Sequence, residues 1–361
     1  MKRVKNIYDK ISDYKNLELA TRFASLGKKS RRSVIRFFYA KEQKLKNLQK
    51  FLETETYHPF PYSKKTIMDR CTNKIREIFV PKFYPDQIVQ WALMLQIKPI
   101  FMKGMYDFSC ASVDGRGASL GIKMVKRWLE CDKVNTKYCL VCDIRKFYPS
   151  INQDILLKKI EKKIKDKKTL NLIEKIVMSV EKGVPIGNYT SQWFANFYLQ
   201  DFDHFVKERL RIKYYVRYMD DLVFFGFNKK TLKKQFFEIK RFLQNEKLEI
   251  KPNWQIFKIA KSPKSGRPLD FLGYKFYRNC TLLRSKTFLR MRRRFKKIAS
   301  KDYLTAKDAS AALSYQARIK VTSGNLIYKK IVDPNVNLGK CRWTISRHDR
   351  LDALNKKHNT S

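Results

Sequence analysis

The chain has 361 residues, 43% of them hydrophobic, and carries 79 Lys and Arg against 33 Asp and Glu, a formal net charge of +46 at pH 7. A chain of this length can bury a large core, and so large an excess of positive charge needs a polyanionic partner to relieve its self-repulsion, nucleic acid being the usual one. A cationic protein of the membrane surface would need an apolar span or a lipidation signal, and the sequence contains neither.

The seven cysteines are an odd number and are expected to be reduced thiols. The first residues are basic with no apolar stretch behind them, so no signal peptide is expected. Cys139 and Cys142 form the single Cys-x-x-Cys of the chain. Within a predicted strand, side chains three positions apart point to opposite faces and chelate a metal poorly, so we assign both cysteines to the core.

Residues 1–60 are predicted to be a basic helical segment, and residues 61–135 to hold strands followed by a helix. The second segment contains a strand with Lys74 and Arg76 and, further on, a glycine-flanked turn around Arg116.

A buried strand is predicted directly before a lone acid, Asp143. The residues that follow are basic and aromatic, as expected where the triphosphate and sugar of a nucleotide would lie: Arg145, Lys146, Phe147 and Tyr148. Helices are predicted at residues 156–182, a lysine-rich amphipathic pair, and at residues 194–210 and 232–245.

Residues 214–226 are the most informative stretch, because two apolar runs rich in β-forming residues flank the adjacent acids Asp220 and Asp221. Such a hairpin holds two carboxylates at its tip, and their mutual repulsion favours bound cations. Two Mg²⁺ ions about 3.5–4 Å apart can bridge carboxylates of this kind and stabilise an in-line phosphoryl transfer. A solvated turn is the ordinary alternative. Asp143 lies 77 positions upstream of Asp220, so only a sheet that pairs the two strands could bring these acids together.

After about residue 280 the pattern becomes helical and strongly basic, with bases at Arg290, Arg292, Arg293, Arg294, Lys296 and Lys297. A run of charge is often only a solvated face. Contact with the phosphates of a nucleic-acid duplex is the functional interpretation.

Taken in order, these segments resemble a reverse transcriptase. Asp143 stands where motif A has its acid, and Tyr218-Met219-Asp220-Asp221 resembles motif C. The strand at Lys74 and the turn at Arg116 resemble fingers motifs, and residues 271–274 resemble the primer-grip hairpin. The resemblance covers about residues 10–330. It implies an α+β fold of the right-hand polymerase type, with fingers, a palm of antiparallel sheet backed by helices, and a helical thumb.

The resemblance also implies a division of the chain. Residues 1–60 are expected to form a basic helical N-terminal extension, and residues 61–135 the fingers, with part of residues 155–185 packing nearby. Residues 136–278 are expected to form the palm with the catalytic carboxylates. Residues 279–361 are expected to form a basic helical thumb and a C-terminal tail.

Residues 184–196 point to one branch of the reverse transcriptases, because Ile186 and Gln192 stand where most members have Gln and Pro. This segment resembles the enzymes of diversity-generating retroelements, a bacterial and phage branch of the group II intron-like superfamily. That resemblance implies error-prone copying of a template-repeat RNA, mutagenised at adenines, into cDNA that diversifies a variable gene. It further implies a small basic oligomeric accessory variability protein as partner, and the cytoplasm of a bacterial cell or phage-infected host as the location.

Two other interpretations stay open. One is another bacterial reverse transcriptase of the defence-associated, retron or group II intron type. It is disfavoured by Ile186 and Gln192, and because no nuclease or zinc-finger extension is expected after the thumb. The other is a non-catalytic RNA-binding protein on a polymerase scaffold, which an intact set of Asp143, Asp220 and Asp221 disfavours.

Roles follow from the resemblance. Asp143, Asp220 and Asp221 are expected to be catalytic and, with the Ile144 carbonyl, to bind two Mg²⁺ ions, for which Mn²⁺ can substitute. The residues expected to bind the incoming dNTP are Lys74, Arg76, Arg116, Arg145, Lys146, Phe147, Tyr148, Ile186, Gly187 and Gln192. The residues expected to bind template RNA and the primer or cDNA are Tyr218, Met219, Phe271, Leu272, Gly273, Tyr274, Arg290, Arg292, Arg293 and Arg294.

Within that set, two residues have specific expected tasks. Tyr148 is expected to act as a steric gate against the ribose 2′-hydroxyl. Ile186 has no donors or acceptors with which to penalise mispairs, so it is expected to relax fidelity. Core packing under the Gly187 turn is the ordinary alternative for Ile186.

Overall fold

Helices and antiparallel strands make up the fold, which confirms the predicted α+β class. The computed structural model describes residues 3–69, 74–323 and 336–358. The chain forms two compact units, one of residues 1–118 and 140–256 and the other of residues 119–139 and 257–361. The boundaries of fingers, palm and thumb stay a prediction.

Four helices open the first unit, as the basic helical segment predicts: α1 Tyr8–Ser12, α2 Tyr14–Ser25, α3 Arg32–Phe38 and α4 Lys41–Glu53. Asp13 caps α2, because its carboxylate accepts a hydrogen bond from the Asn16 amide at 3.2 Å. On α2, Leu17, Ala20 and Ala24 recur at helical spacing and are fully buried, which gives the helix its inward face.

A hairpin and a buried helix follow. Strands β1 Ser63–Asp69 and β2 Lys74–Val80 pair antiparallel, from Ser63 opposite Val80 to Asp69 opposite Lys74. Helix α5 Ile88–Met102 is apolar on all sides, as is typical of a helix enclosed by the core. It packs against α2 and against the later helix α10 Tyr189–Tyr198.

Four strands form the sheet that carries the acids: β3 Tyr138–Asp143, β4 Tyr215–Tyr218, β5 Asp221–Gly226 and β6 Gln255–Lys258. Their order in the sheet is β4–β5–β3–β6, and β4 pairs antiparallel with β5. The sheet therefore places the strand that ends at Asp143 beside the strand that begins at Asp221. Cys139 and Cys142 are buried, as predicted.

The remaining helices of the first unit are α7 Phe147–Ser150, α8 Gln153–Glu161, α9 Lys167–Val177, α11 Gln200–His204 and α12 Lys229–Asn245. The predicted lysine-rich pair is α8 and α9. The single helix predicted at residues 194–210 is instead α10, α11 and a π-helical turn, Phe205–Arg209.

The second unit contains α6 Ala118–Cys131, except for Ala118 itself. It also contains a three-stranded antiparallel sheet of β7 Leu269–Phe271, β8 Tyr274–Phe276 and β9 Thr281–Leu283. Three helices follow: α13 Ser285–Ala299, α14 Ala306–Lys320 and α15 Leu338–His358. Helix α13 buries Met291, Phe295 and Ile298 and turns most of its bases outward. Within the described ranges, no helix is both long enough and apolar enough to cross a bilayer.

Candidate active site

The connection between β4 and β5 places two acids at the end of the sheet. Tyr218 and Asp221 are opposite each other in the ladder, so Met219 and Asp220 alone make the turn. Met219 is buried and has a φ of 57°, a left-handed conformation that is uncommon for a residue with a side chain. Such conformations persist only where the surrounding structure holds them in place.

Asp143 ends β3 next to this turn. The Ile144 amide donates a hydrogen bond to the Asp220 carbonyl at 3.1 Å, which fixes the turn against the end of β3. The carboxyl group of Asp143 lies close enough to that of Asp221 to raise the pKa of Asp221. The structure thus brings together the three acids that the sequence separates by 77 positions.

Crowding makes Asp220 and Asp221 reluctant to carry charge. Burial raises the pKa of Asp220 above its usual range, and the neighbouring Asp143 raises it further. Burial also raises the pKa of Asp221, followed by the charges of Asp220 and Asp143. Lys251 lowers both pKa values, and Arg76 also lowers that of Asp220. A site in which carboxylates repel one another gains from any cation placed among them.

Lys251 is a site residue that the sequence analysis missed. Its Nζ forms an ion pair with Asp143, and its amide donates to the Asp143 carbonyl at 2.8 Å. Close by, the Arg145 amide donates to the Glu249 carbonyl at 2.7 Å, and the Arg145 guanidinium pairs with the Glu249 carboxylate at 3.1 Å. The backbone around residues 249–251 therefore holds the loop after Asp143. In sequence, the alternation of charged and apolar residues from Leu248 was the available signal.

Tyr148 lies within electrostatic reach of Asp220. Burial raises the pKa of its hydroxyl, and Asp220 raises it further, while Arg76 lowers it. The Tyr148 carbonyl accepts a hydrogen bond from the Val184 amide at 3.1 Å. A Cβ on Gly183 would come within 2.2 Å of that carbonyl oxygen, so only glycine allows this approach. The charges of Asp220 and Arg76 both reach the Tyr148 hydroxyl, and a nucleotide-binding role for Arg76 and Tyr148 stays a prediction.

The other predicted nucleotide contacts are placed differently. Arg116 donates hydrogen bonds to the Tyr106 and Ser109 carbonyls and so braces its own loop. Phe147 is buried, whereas Lys146 is exposed and has a φ of 44° at the start of α7. The side chain of Lys74 lies outside the described residues.

Gly187 and Gln192 line a cavity of about 440 Å³. Its wall includes Trp91 and Tyr189, whose rings are stacked with their centroids 3.7 Å apart. Lys28 and Arg31 supply positive charge to the same cavity. Flat aromatic surface next to cations suits nucleobases and phosphates.

Ile186 is half-buried and is held through its backbone. Its carbonyl accepts a hydrogen bond from the Phe79 amide on β2 at 2.7 Å. Gly187 has a φ of 123°, and a Cβ there would lie 2.2 Å from the Phe79 carbonyl oxygen. The side chain of Ile186 is therefore attached to a fixed piece of backbone and is not fully enclosed by the core.

In the second unit, the predicted primer-grip residues are the end of β7, the turn after it and the start of β8. Phe271 and Tyr274 are buried, and Leu272 and Gly273 make the turn with φ values of 51° and 88°.

Helix α13 carries the predicted thumb arginines. Arg292 and Arg293 are exposed, and Arg290 is partly exposed. Arg294 instead pairs with the buried Asp308 of α14 at 2.6 Å, which fastens the two helices together.

Across residues 3–69, 74–323 and 336–358, no three His, Cys, Asp or Glu side chains already stand in a metal-holding arrangement. The chemistry of Asp143, Asp220 and Asp221 nevertheless fits a divalent cation. Their oxygens are hard donors, they converge on one place, and their mutual repulsion is only partly offset by Lys251.

Comparison with known proteins agrees with the geometry. Residues 62–276 match the family described as "Reverse transcriptase (RNA-dependent DNA polymerase)". Protein YkfC of Escherichia coli K12 is 23% identical over 164 residues, 42% of each chain. Group II intron-encoded protein LtrA of Lactococcus lactis subsp. cremoris is 27% identical over 183 residues, 48% of this chain and 30% of LtrA. The chain spans less than half the length of these curated relatives.

Among solved structures, telomerase from Candida albicans in complex with a fragment of telomeric RNA has a TM-score of 0.46 at 12% identity and covers 76% of this chain and 55% of that one. Apo telomerase from Candida tropicalis has a TM-score of 0.47 at 15% identity and covers 70% and 50%. The family match covers more than half of the chain. The chain therefore belongs to the reverse transcriptase family.

Proposed function

We propose that this chain is an RNA-directed DNA polymerase that extends a primer with dNTPs on an RNA template. The observation that carries the proposal is the convergence of Asp143, Asp220 and Asp221 at the end of one sheet. A scaffold that only bound RNA would have no need for three crowded acids, whose repulsion costs stability.

Reverse transcriptases use divalent metal ions, and we propose two Mg²⁺ ions here, with Mn²⁺ able to substitute. Asp143 and Asp220 would hold them, assisted by Asp221 and the Ile144 carbonyl. When bound, such ions activate the attacking 3′-hydroxyl and stabilise the leaving pyrophosphate. Lys251 offsets the charge of Asp143 and must turn away from its carboxylate for a cation to bind there.

The residues around the acids supply binding and selection. Arg76 lowers the pKa values of Asp220 and Tyr148, and its positive charge is the one proposed to attract the triphosphate. Tyr148 lies within electrostatic reach of Asp220, and its ring is proposed to exclude a ribose 2′-hydroxyl. The cavity lined by Trp91 and Tyr189 would take the template strand, with its phosphates near Lys28 and Arg31.

Our finer proposal is that the template is the template-repeat RNA of a diversity-generating retroelement, copied with errors at adenines in the cytoplasm of a bacterial cell or phage-infected host. Its support is the residue types at Ile186 and Gln192 and the incomplete burial of Ile186. A small basic accessory variability protein is the proposed partner. Similarity to LtrA favours a second candidate, a group II intron type of reverse transcriptase.

Sequencing the cDNA made from the RNA encoded beside this gene tests both levels of the proposal. Wild-type protein should make cDNA whose errors are confined to template adenines. The Asp220→Asn variant should make none while it binds the same RNA with nearly wild-type affinity. Evenly distributed errors would reject the diversity-generating type and keep the polymerase. Synthesis by Asp220→Asn would reject the assignment of the site.

A further inference from the structure

A buried ion pair lies behind the Met219–Asp220 turn, and the chemistry proposed above does not use it. Arg217 of β4 is fully buried, as is the side chain of Asp203 on α11. The Arg217 Nε donates to Asp203 Oδ1 at 2.9 Å, and its Nη2 donates to Asp203 Oδ2 at 2.7 Å. A buried pair of this kind is often no more stabilising than apolar residues of the same volume, so stability alone does not account for it.

The third nitrogen of Arg217 connects this pair to the turn. Nη1 donates to Asn196 Oδ1 at 3.0 Å and to the Met219 carbonyl at 3.4 Å. Met219 is the residue with the left-handed backbone, and its carbonyl carbon is bonded directly to the amide of Asp220. A planar guanidinium can hold three acceptors at fixed angles, which no other side chain can do.

The partners of Arg217 are themselves anchored. Asn196 Nδ2 donates to the Ala111 carbonyl at 2.8 Å, and Ser109 Oγ donates to Asn196 Oδ1 at 3.3 Å. The Arg217 backbone adds two bonds to the same loop: its amide donates to the Phe108 carbonyl at 3.0 Å, and its carbonyl accepts from the Cys110 amide at 2.8 Å. The guanidinium is thus fixed by Asn196 of α10 and Asp203 of α11, while residues 108–111 hold Asn196 and the Arg217 backbone.

We propose that Arg217 is a positioning residue for nucleotide transfer. Its guanidinium binds Asp203, Asn196 and the Met219 carbonyl at once, and in this way it sets the position of Asp220 relative to Asp143. The proposal rests on the polymerase function proposed above. An acid displaced by about 1 Å from its productive place can lower a rate about a hundred-fold. The effect of losing Arg217 should therefore fall on the rate of transfer and on cation binding at the acids.

The test replaces both charges together, as Arg217→Met with Asp203→Asn. No charge is then left buried without a partner, and an Asn at position 203 can still accept the Tyr215 hydroxyl bond, which is 2.9 Å long in the wild type. The thermal midpoint and the affinity for RNA template should stay close to wild type, with KM for dNTP changed no more than about three-fold. We expect kcat to fall at least ten-fold, within the range that misplacement produces. Mn²⁺ binding, followed by electron paramagnetic resonance without nucleotide, should weaken.

Tyr215→Phe is the matched control. It removes one bond to Asp203 and leaves the contacts of Arg217 with Asn196 and Met219, so kcat and Mn²⁺ binding should match wild type. If the double variant fails to fold, Arg217→Lys takes its place, because Lys keeps the charge beside Asp203 but cannot also reach both other acceptors. It should show the same loss of kcat at an unchanged fold.

A folded double variant, or a folded Arg217→Lys variant in its place, with kcat and Mn²⁺ affinity within two-fold of wild type would overturn the positioning role and leave Arg217 as core packing. Wild-type protein without polymerase activity would instead reject the proposed function. The comparison of Mn²⁺ affinities would still decide the role of Arg217 in that case.

Discussion

At the scale of single residues, the crowded acids link protonation to stability. The pKa values of Asp220 and Asp221 are raised in the folded protein, so the folded state holds these protons more tightly than the unfolded state does. Stability therefore decreases as pH rises from the ordinary range of a carboxyl group through the raised pKa values. A bound divalent cation should reverse this loss.

Replacing Asp221 with Asn removes one of the repelling charges. We expect the metal-free variant to be more stable than wild type at pH 8. The gain should be only about 1 kcal/mol, because Asp221 as a whole residue is exposed and water screens its charge even though protein atoms crowd its carboxyl group. At pH 4 the two proteins should have nearly equal stability. Thermal unfolding across pH with chelator measures the difference. Asp302→Asn, at another exposed acid, is the control and should show no such gain. A gain independent of pH would contradict the explanation.

Tyr148 offers a separate test of sugar selection. Tyr148→Ala opens space beside Asp220, so ribonucleotide incorporation relative to deoxyribonucleotide should rise by about ten-fold or more, a barrier difference of about 1.4 kcal/mol. Tyr148→Phe keeps the ring and should keep the selectivity, because exclusion depends on the ring and not on the hydroxyl. Single-nucleotide extension with each sugar gives both ratios. Unchanged selectivity in Tyr148→Ala would remove the residue from this role.

The proposed effect of Ile186 on fidelity can be tested directly. If this position lies near the incoming base pair as proposed, a Gln there would make a hydrogen bond that Ile cannot make. Its absence should cost discrimination by about 0.5–1.5 kcal/mol, or roughly two- to twelve-fold in relative rate. Ile186→Gln should therefore lower misincorporation opposite adenine more than opposite the other bases. Ile186→Leu is the apolar control and should keep the wild-type error spectrum. Both spectra come from sequencing cDNA made on one defined template, and identical spectra would return Ile186 to a packing role.

At the scale of elements, helix α13 carries arginines with two different expected roles, nucleic-acid binding and helix–helix stabilisation. Arg292 and Arg293 are exposed. Replacing both with Gln should weaken nucleic-acid binding by a similar factor for all sequences. The slope of log affinity against log salt concentration should become shallower by about 2, one unit for each phosphate that is no longer neutralised. Arg294→Gln should instead lower stability by about 1.5 kcal/mol, because it takes a charged partner from the buried Asp308. Fluorescence anisotropy and chemical denaturation distinguish the two effects. An Arg292/Arg293 variant that loses stability and keeps its affinity would contradict this division.

The sequence predicts the elements of the acid site well, because each has a local signature. The strand before Asp143 is a short apolar run, and the Asp220–Asp221 pair lies between two more. The sheet order that joins them is not local, and it was inferred only because a functional site required it. Lys251 and Arg217 could not be found in the same way. Lys251 pairs with Asp143, which is distant in sequence, and Arg217 pairs with Asp203, which belongs to no motif.

Other contacts were unpredictable because they depend on side-chain direction. Arg116 has the charge for a triphosphate, yet its guanidinium is used by the carbonyls of its own loop. Arg294 belongs to a basic run, yet helical spacing turns it towards α14. The cavity beside Gln192 depends on the stacking of Trp91 on Tyr189, two residues 98 positions apart.

At the scale of the whole molecule, the net charge of +46 should govern affinity more than any single contact. Each phosphate that the protein neutralises releases a counterion, so binding should fall linearly on a log–log plot against salt. Between about 50 and 200 mM salt we expect a loss of roughly a thousand-fold or more in RNA affinity. An unrelated RNA of equal length should show a similar slope, measured by anisotropy. A slope near zero would show that the charge serves another purpose.

The contact between Gly187 and β2 also has a mechanical consequence. The Phe79 amide donates a hydrogen bond to the Ile186 carbonyl. The Phe79 carbonyl oxygen lies so close to Gly187 that no room is left for even a methyl group on that residue. Strand β2 carries Arg76 three positions before Phe79, and Gly187 belongs to the wall of the cavity with Gln192. The backbone at residue 79 is therefore held directly against the backbone at residues 186 and 187. Under the function proposed above, with a triphosphate at Arg76 and the template strand in the cavity, nucleotide capture and template seating would be coupled through strand β2.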